Sequence, residues 1–402
     1  MNYIKIIIIA WIIYASFYLC RVNYPISIPF INSDLGITFT SLGLIASAFF
    51  ASYSIGQVIN GYLGVRYRPW RLLILGIVGS SITTLLFGFS ASPSTFLILW
   101  LINGYFQSIG WPILVKVIAT VLTHENMSKG YGIFNTSWAL GHALSWLFTG
   151  LIIDHYGWRW GFIVNGVIFP AVNIPLVLDL MRYISPLETA KSDINRHRDE
   201  FNCITSGKHV IALLILALVY LVMYAVRYAL VMYLPSYVHH VERHISTFLL
   251  TIVLFPISGS LGMVSLGFLF NRVAMHKRII LMIIMNIAVA ILLSIFPLCY
   301  EESRLLGLLI LMLLSSLLYG LESQVVSTMP VTLIGRKYSS LAVGIIDSAG
   351  SIGAFISSLV SGMIIDSSGF NIMLRFWSYV EMILPALLLT LMLIIRRAPC
   401  LD

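Results

Sequence analysis

Residues 14–29 read YASFYLCRVNYPISIP, and residues 220–235 read YLVMYAVRYALVMYLP. Both stretches contain the pattern Y-x3-Y-x2-R-x7-P, and each of its residues recurs 206 positions later in the second copy. Apolar helices often match by chance because they are built from few residue types. Tyrosine, arginine and proline in one register are much harder to obtain in that way, so the pattern predicts an internal duplication.

Two further matches extend the repeat along the chain. The segment Gly61–Arg66 recurs as Gly267–Arg272 at the same offset of 206. The glycines and the Ile-Ile-Asp sequence between residues 132 and 157 recur between residues 344 and 369, at an offset of 212. A change of this size is typical of loops that differ in length between otherwise equivalent spans.

The composition is that of a membrane protein. Of 402 residues, 59% are hydrophobic and 10% are charged, whereas a soluble domain is about 45–50% apolar and about 25% charged. Windows long enough to cross about 30 Å of hydrocarbon predict twelve membrane spans. They lie at 5–30, 41–64, 72–90, 95–122, 130–153, 159–182, 209–238, 245–270, 279–299, 305–333, 339–364 and 370–395.

The longest polar stretch separates six predicted spans from six. We therefore predict an N-terminal half of residues 1–182, a cytoplasmic linker of residues 183–208 and a C-terminal half of residues 209–402. Because six helices lie between each element and its copy, equivalent helices cross the membrane in the same direction. Such a parallel repeat, an all-α membrane protein whose two six-helix halves are related by a pseudo-two-fold axis along the membrane normal, is typical of the major facilitator fold. That fold predicts a substrate site near the midplane between the halves.

The distribution of lysine and arginine predicts the orientation. With the N-terminus inside, 17 of the 24 basic residues lie on the cytoplasmic side, four lie outside and three lie within spans. Both termini are therefore expected to be cytoplasmic, in a plasma or inner membrane. The first apolar run continues into a full-length span, so we expect no cleaved signal peptide. The net charge of +8 follows from this topology, and no basic face for nucleic acid accompanies it.

The sequence predicts neither a cofactor site nor an enzyme. Its four cysteines are scattered, with neither a metal-binding spacing nor the pattern of a disulfide framework. No nucleophile–base pair or metal cluster is expected at the midplane of the membrane. Neither a metal nor nucleic acid is therefore expected as a partner. The expected partners are the lipid bilayer and small solutes.

Two arginines lie deep inside predicted spans. An arginine at the centre of a span costs about 2.5–3.5 kcal/mol on insertion scales, so it should face a cavity or a partner. Arg21 and Arg227 are such residues, and tyrosines seven and three positions earlier are expected on the same helix face. These tyrosines are Tyr14 and Tyr18 in the first half and Tyr220 and Tyr224 in the second.

The arginine pair indicates an anionic substrate. Arginine binds tetrahedral oxyanions through forked, charge-assisted hydrogen bonds and keeps its proton when it is desolvated. A phosphate dianion would balance two such charges. The alternative is that the arginines neutralise buried acids such as Glu322 or Asp347, which could also carry a proton or fix helix packing.

Other polar residues inside the spans are weaker candidates for the substrate cavity. Intramembrane amides more often join helices than contact a ligand. His142 could equally be a histidine hydrogen-bonded between helices or one with a proton or phosphate role, while Lys116 is expected to be structural. The remaining candidates are Gln57, Gln107, Asn135, Gln324 and Trp138.

Four segments carry a resemblance to a known family. They are YLCRVNY at 18–24, GYFQSIGWP at 104–112, YAVRY at 224–228 and IDSAGSIGA at 346–354. The chain resembles the organophosphate:phosphate antiporter family of the major facilitator superfamily. This resemblance implies that Arg21 and Arg227 bind the substrate phosphate. It also implies that Tyr14, Tyr18, Trp111, Asn135 and Tyr224 line the cavity.

The departures from that family concern the rest of the substrate. Gln57 stands where glycerol-phosphate carriers have a lysine, and Trp138 stands where they have a cavity histidine, with His142 one turn later. Gly350 replaces the lysine that hexose-phosphate carriers place three residues after the aspartate, and Val65 replaces the aspartate of the usual cytoplasmic loop motif. Phosphate binding is therefore implied, while the organic moiety stays open.

The expected function is exchange of a small phosphorylated metabolite for inorganic phosphate by rocker-switch alternating access, by a protein that acts as a monomer. A second hypothesis is proton-coupled transport of another organic anion, with Asp347, Glu322 or His142 as the proton carrier. A third is a sugar-phosphate sensor that binds without transporting.

Overall fold

The computed structural model describes residues 3–122, 127–191, 207–242, 244–330 and 339–396. Within these ranges twelve helical segments are long and apolar enough to cross a membrane, which confirms the predicted number. We number them spans 1–12 in chain order. Their helices are Tyr3–Phe17 and Asn23–Leu35 (span 1), Phe39–Arg66 (2), Pro69–Phe89 (3), Pro93–Gln107 and Gly110–Val121 (4), Met127–Tyr156 (5), Trp158–Lys191 (6), Gly207–Val241 (7), Ile245–Asn271 (8), Met275–Glu302 (9), Arg304–Ser323 (10), Ser339–Ser368 (11), and Phe370–Glu381 and Ile383–Arg396 (12).

The predicted linker is partly helical. The helix of span 6 continues to Lys191, and that of span 7 begins at Gly207. Residues 192–206 lie outside the described residues. So do several basic residues that contribute to the predicted orientation, namely Arg196, Arg198, Arg243, Arg336, Lys337 and Arg397. The cytoplasmic position of both termini stays a prediction.

Internal contacts divide the chain into two compact units. The first comprises Met1–His197 with Glu242–Val253, and the second comprises Arg198–Val241 with Leu254–Asp402. The start of span 8 thus groups with the first unit, where the ring of Phe248 lies 6.2 Å from that of Phe30 in an edge contact. The division into halves at residues 1–182 and 209–402 stays a prediction.

One close helix contact occurs in both units at equivalent positions. In the first unit, a Cβ atom on Gly141 of span 5 would lie 2.7 Å from the carbonyl oxygen of Ala15 in span 1. In the second, a Cβ atom on Gly353 of span 11 would overlap the carbonyl oxygen of Leu221 in span 7. The two glycines are separated by 212 residues and their partners by 206, which are the offsets of the sequence repeat. Small residues allow such close backbone approach between membrane helices.

We expect Gly353→Ala to lower the melting temperature of the purified protein in detergent. The added methyl group must displace the backbone of span 7, and overpacking of this kind costs about 1–3 kcal/mol. The matched control is Gly344→Ala on the same helix, where no atom lies within 4 Å of an added Cβ. Because alanine is the better helix former by about 1 kcal/mol, the control should melt at the same temperature or higher. Equal effects of the two substitutions would contradict the close contact.

Candidate functional site

Arg21 lies at a break in span 1. The first helix ends at Phe17, one turn of 3₁₀ helix follows, and the second helix begins at Asn23. Proline at position 25 explains the break, because its ring clashes with the carbonyl group of Arg21 four residues earlier and it has no N–H to donate. The helix on which Tyr14, Tyr18 and Arg21 are expected to share a face is therefore interrupted, while Tyr14 contacts Tyr18 and Tyr18 contacts Arg21.

Span 7 is not broken at the equivalent place. Its helix runs from Gly207 to Val241 through Arg227. The residue 206 positions after Pro25 is Val231, which has an N–H and no clashing ring. Two equivalent arginines are thus presented by two different backbones.

Carbonyl groups at the break in span 1 receive side-chain hydrogen bonds from spans 4 and 5. Irregular backbone at membrane depth is tolerated only where protein groups or water satisfy it. The bonds run from Asn103 Nδ2 to Cys20 O at 2.8 Å, Gln107 Nε2 to Phe17 O at 3.1 Å, Ser145 Oγ to Tyr18 O at 2.9 Å and Trp146 Nε1 to Val22 O at 3.0 Å. The break is therefore a built feature that fixes the position of the arginine.

The guanidinium of Arg21 is enclosed by aromatic rings and an amide. The residue is buried, and its Nε donates to Oε1 of Gln107 at 3.2 Å. Its Cζ atom lies 4.7 Å from the ring centre of Tyr53, 5.0 Å from that of Tyr18 and 6.0 Å from that of Phe49. The negative faces of these rings stabilise the cation, and neither they nor the amide carry a charge that neutralises it.

The guanidinium of Arg227 is enclosed in the same way, with one difference. Its Cζ atom lies 4.5 Å from the ring centre of Tyr224, 4.7 Å from that of Tyr228 and 4.9 Å from that of Tyr319. Its Nε donates to Oε1 of Glu322 at 2.8 Å and lies 2.7 Å from Oε2 of the same carboxylate. For Arg227, the alternative that a buried acid balances the charge is thus realised in the structure.

The two acceptors come from corresponding spans, since Gln107 lies in the fourth span of the first half and Glu322 in the fourth span of the second. An amide is required in the first half, since Gln107 must donate to the broken backbone while it accepts from Arg21. The continuous helix of span 7 leaves no carbonyl group to satisfy at this point, so a carboxylate can serve there. The difference between the two acceptors follows from the difference in backbone.

Other predicted residues of the first half join the arginine cluster. The ring of His142 stacks on that of Tyr18, with centroids 5.9 Å apart. Tyr14 meets Tyr18 edge to face at 5.9 Å and lies 4.9 Å from the ring of Trp111. Gln57, Asn135 and Trp138 are half-buried in spans 2 and 5, and their part in the site stays a prediction.

In the second half, Tyr220 and Tyr224 pack against Gly350, where the resemblance to hexose-phosphate carriers would place a lysine. A Cβ atom on Gly350 would overlap the ring of Tyr220 and lie 3.1 Å from that of Tyr224. Asp347, one turn earlier and half-buried, interacts electrostatically with both tyrosines. A longer side chain at position 350 would have to displace these rings, so aromatic groups occupy the space of a cationic one.

Sequence reasoning missed two residues beside the arginines and one that interacts electrostatically with Glu322. Tyr319 precedes Glu322 by three positions, a spacing that places both on one helix face and could have revealed it. Tyr53 carries no such signal. Glu381 is an acid inside predicted span 370–395; it is fully buried, and neither of its carboxyl oxygens has a hydrogen-bond partner within the described residues.

Comparison with known sequences gives one family match and several relatives. The family described as Major Facilitator Superfamily matches residues 10–331. The probable hexose phosphate transport protein of Chlamydia pneumoniae is 27% identical over 213 residues, which cover 52% of this chain and 47% of the relative. The membrane sensor protein UhpC of Salmonella typhimurium is 29% identical over 173 residues, which cover 43% and 39%. The matched part spans less than half the length of each relative, and the expected resemblance to organophosphate carriers is confirmed.

Comparison with solved structures gives the fold. The crystal structure of a D-xylose-proton symporter superimposes with a TM-score of 0.73 over 98% of this chain and 97% of that one. The sequence identity of 14% means that this likeness speaks for the fold alone. The expected all-α fold with twelve membrane helices is confirmed.

We expect Trp146→Phe to destabilise the protein by about 1–3 kcal/mol, because the ring is kept while the buried carbonyl group of Val22 loses its donor. Thermal unfolding in detergent measures the effect, with Trp160→Phe, at an exposed tryptophan of the same half, as the matched control. A melting temperature of Trp146→Phe equal to that of the control would show that the break in span 1 does not depend on this hydrogen bond.

Proposed function

Because the chain belongs to the major facilitator superfamily, we propose that it is a secondary transporter that exchanges a small phosphorylated metabolite for inorganic phosphate by rocker-switch alternating access. The observation that carries this proposal is the arginine buried in the first span of each half among three aromatic rings. The relatives named as phosphate-ester carriers support the same substrate class.

The chemistry of the two arginines favours a phosphate group as the part of the substrate that is bound. In the first half the side-chain acceptor Gln107 bonds to the Nε atom of Arg21. A phosphate binds a guanidinium through forked bonds to its terminal nitrogens. The aromatic rings hold the guanidinium plane in place and stabilise the charge without neutralising it. We therefore assign Arg21 and Arg227 to phosphate binding.

Obligatory exchange would follow from the charge of the two guanidiniums. Arginine keeps its proton when it is desolvated, so enclosing it away from water is less favourable without a bound anion than with one. A bound phosphate supplies the opposite charge and lowers the free energy of the closed state. Conformational exchange then depends on cargo, and each phosphate or phosphate ester that leaves must be replaced by another.

The membrane location and the oligomeric state of the protein are part of the same proposal. The chain is a multi-pass membrane protein, for which we propose a plasma or inner membrane, cytoplasmic termini and a functional monomer.

The aromatic wall of Tyr220 and Tyr224 against Gly350 would meet the organic part of the substrate with phenol groups instead of a lysine.

A sensor is the second candidate function, since one relative is named a membrane sensor protein. A sensor would bind phosphate esters without moving them. Flux in vesicles that contain only this protein distinguishes the two functions, because binding with no exchange favours the sensor.

We expect Arg21→Lys and Arg227→Lys each to slow exchange of labelled phosphate in proteoliposomes loaded with inorganic phosphate. Lysine keeps the charge but loses the forked geometry. The loss of one hydrogen bond to a charged group is worth about 1.5–3 kcal/mol, which corresponds to roughly 10- to 100-fold weaker half-saturation by phosphate.

The matched control is Arg159→Lys, which changes an arginine of span 6 that donates to the backbone oxygens of Gly88 and Ser90. It should exchange phosphate as the wild type does. Wild-type exchange by both Arg21→Lys and Arg227→Lys would contradict the assignment of the two arginines.

A further inference from the structure

Glu322 occupies the place of an anion on one of the two arginines. Its carboxylate and the guanidinium of Arg227 form a hydrogen-bonded ion pair at 2.7–2.8 Å, and the two side chains are 4% and 5% exposed. A phosphate that binds Arg227 must therefore displace this carboxylate or share the guanidinium with it. Arg21 presents no such competition from Gln107, which is a neutral amide.

We propose that Glu322 competes with the substrate for Arg227 and takes up one proton when phosphate replaces it. The inference rests on the proposed function of Arg227 in phosphate binding, and it adds a proton to the transported complex. Glu322 would thus be charged in the empty carrier and neutral in the carrier that has bound phosphate.

The surroundings of Glu322 require the proton. Among the described residues Arg227 is its only hydrogen-bond and ion-pair partner. The other titratable groups that interact with it electrostatically are two acids and two phenols. They are Tyr220 of span 7, Tyr319 of span 10, Asp347 of span 11 and Glu381 of span 12. None of these groups can supply a positive charge in place of Arg227.

A carboxylate that lost Arg227 would remain buried beside two further acids. Burial of an unpaired charge is so unfavourable that the group binds a proton instead. Glu381 illustrates the same rule, since a fully buried carboxyl group without a hydrogen-bond partner is expected to be protonated. Glu381 therefore keeps its proton whether or not the substrate is bound.

Phosphate binding replaces the bond between Arg227 and Glu322 and adds one proton to the protein. The hydrogen bond between Arg227 and Glu322 breaks, and the N–H groups of Arg227 bond to phosphate oxygens. One proton from water adds to the Glu322 carboxylate and forms a carboxylic acid. Release of the substrate returns the proton to water and restores the ion pair. Because incoming and outgoing phosphates each travel with one proton, exchange moves no net proton through this residue.

The experiment counts the protons taken up on binding. Titration calorimetry of the purified full-length protein with inorganic phosphate, in buffers of different ionisation enthalpy, gives the number of protons per phosphate bound. The titration of phosphate itself is common to all variants, so differences between variants report on the protein. We expect the wild type to take up about one proton more than Glu322→Gln.

The affinity for phosphate should also differ between the wild type and Glu322→Gln. Glu322→Gln removes the competing charge, so it should bind phosphate more tightly than the wild type near neutral pH. As the pH rises and protons become scarce, the affinity of the wild type relative to Glu322→Gln should fall by up to roughly tenfold per pH unit. The matched control is Glu381→Gln, which should take up as many protons as the wild type.

Equal proton numbers in the wild type and Glu322→Gln would overturn the proposal, and so would loss of the extra proton in Glu381→Gln. Loss of phosphate binding in a folded Glu322→Gln would also overturn it, since Glu322 would then support binding instead of competing. Absence of phosphate binding by the wild type would overturn the proposed function itself. If Glu322→Gln does not fold, infrared difference spectra of the wild type decide: a new protonated carboxyl band on phosphate binding is expected, and its absence contradicts the proposal.

Discussion

A guanidinium inside a membrane must be solvated by the protein, and the rest of this structure depends on how that is done. Exposure to hydrocarbon at the centre of a span costs about 2.5–3.5 kcal/mol even on the mildest scales. Arg21 and Arg227 avoid it because each lies among three aromatic rings and bonds through Nε to the fourth span of its own half. The aromatic faces stabilise both cations, and the charge of Arg227 is balanced by Glu322.

The continuity of the backbone decides how the two halves differ. Pro25 breaks span 1, and the released carbonyl groups require donors, so the acceptor of Arg21 is an amide that also donates. Val231 leaves span 7 continuous, and the acceptor of Arg227 is a carboxylate. The arginine of the broken span 1 thus bonds to an amide, and the arginine of the continuous span 7 is paired with a carboxylate.

The features that could be predicted from the sequence are those that depend on local pattern. Hydropathy predicts the twelve spans, and the repeated register of tyrosine, arginine and proline predicts which arginines are equivalent. The break at Arg21 was not predicted, because prolines are tolerated in membrane helices and the outcome depends on donors from distant spans. The ring of Tyr53 and the buried carboxyl group of Glu381 likewise depend on packing between spans, whereas Tyr319 could have been found from its spacing to Glu322.

The proposed transporter depends on both arginines, since each guanidinium would contribute to phosphate binding. Equilibrium binding of phosphate to Arg21→Lys, Arg227→Lys and the double variant tests this claim most directly. If both arginines take part, the double variant should bind phosphate more weakly than either single variant. A double variant that binds phosphate as tightly as one of the single variants would contradict the account.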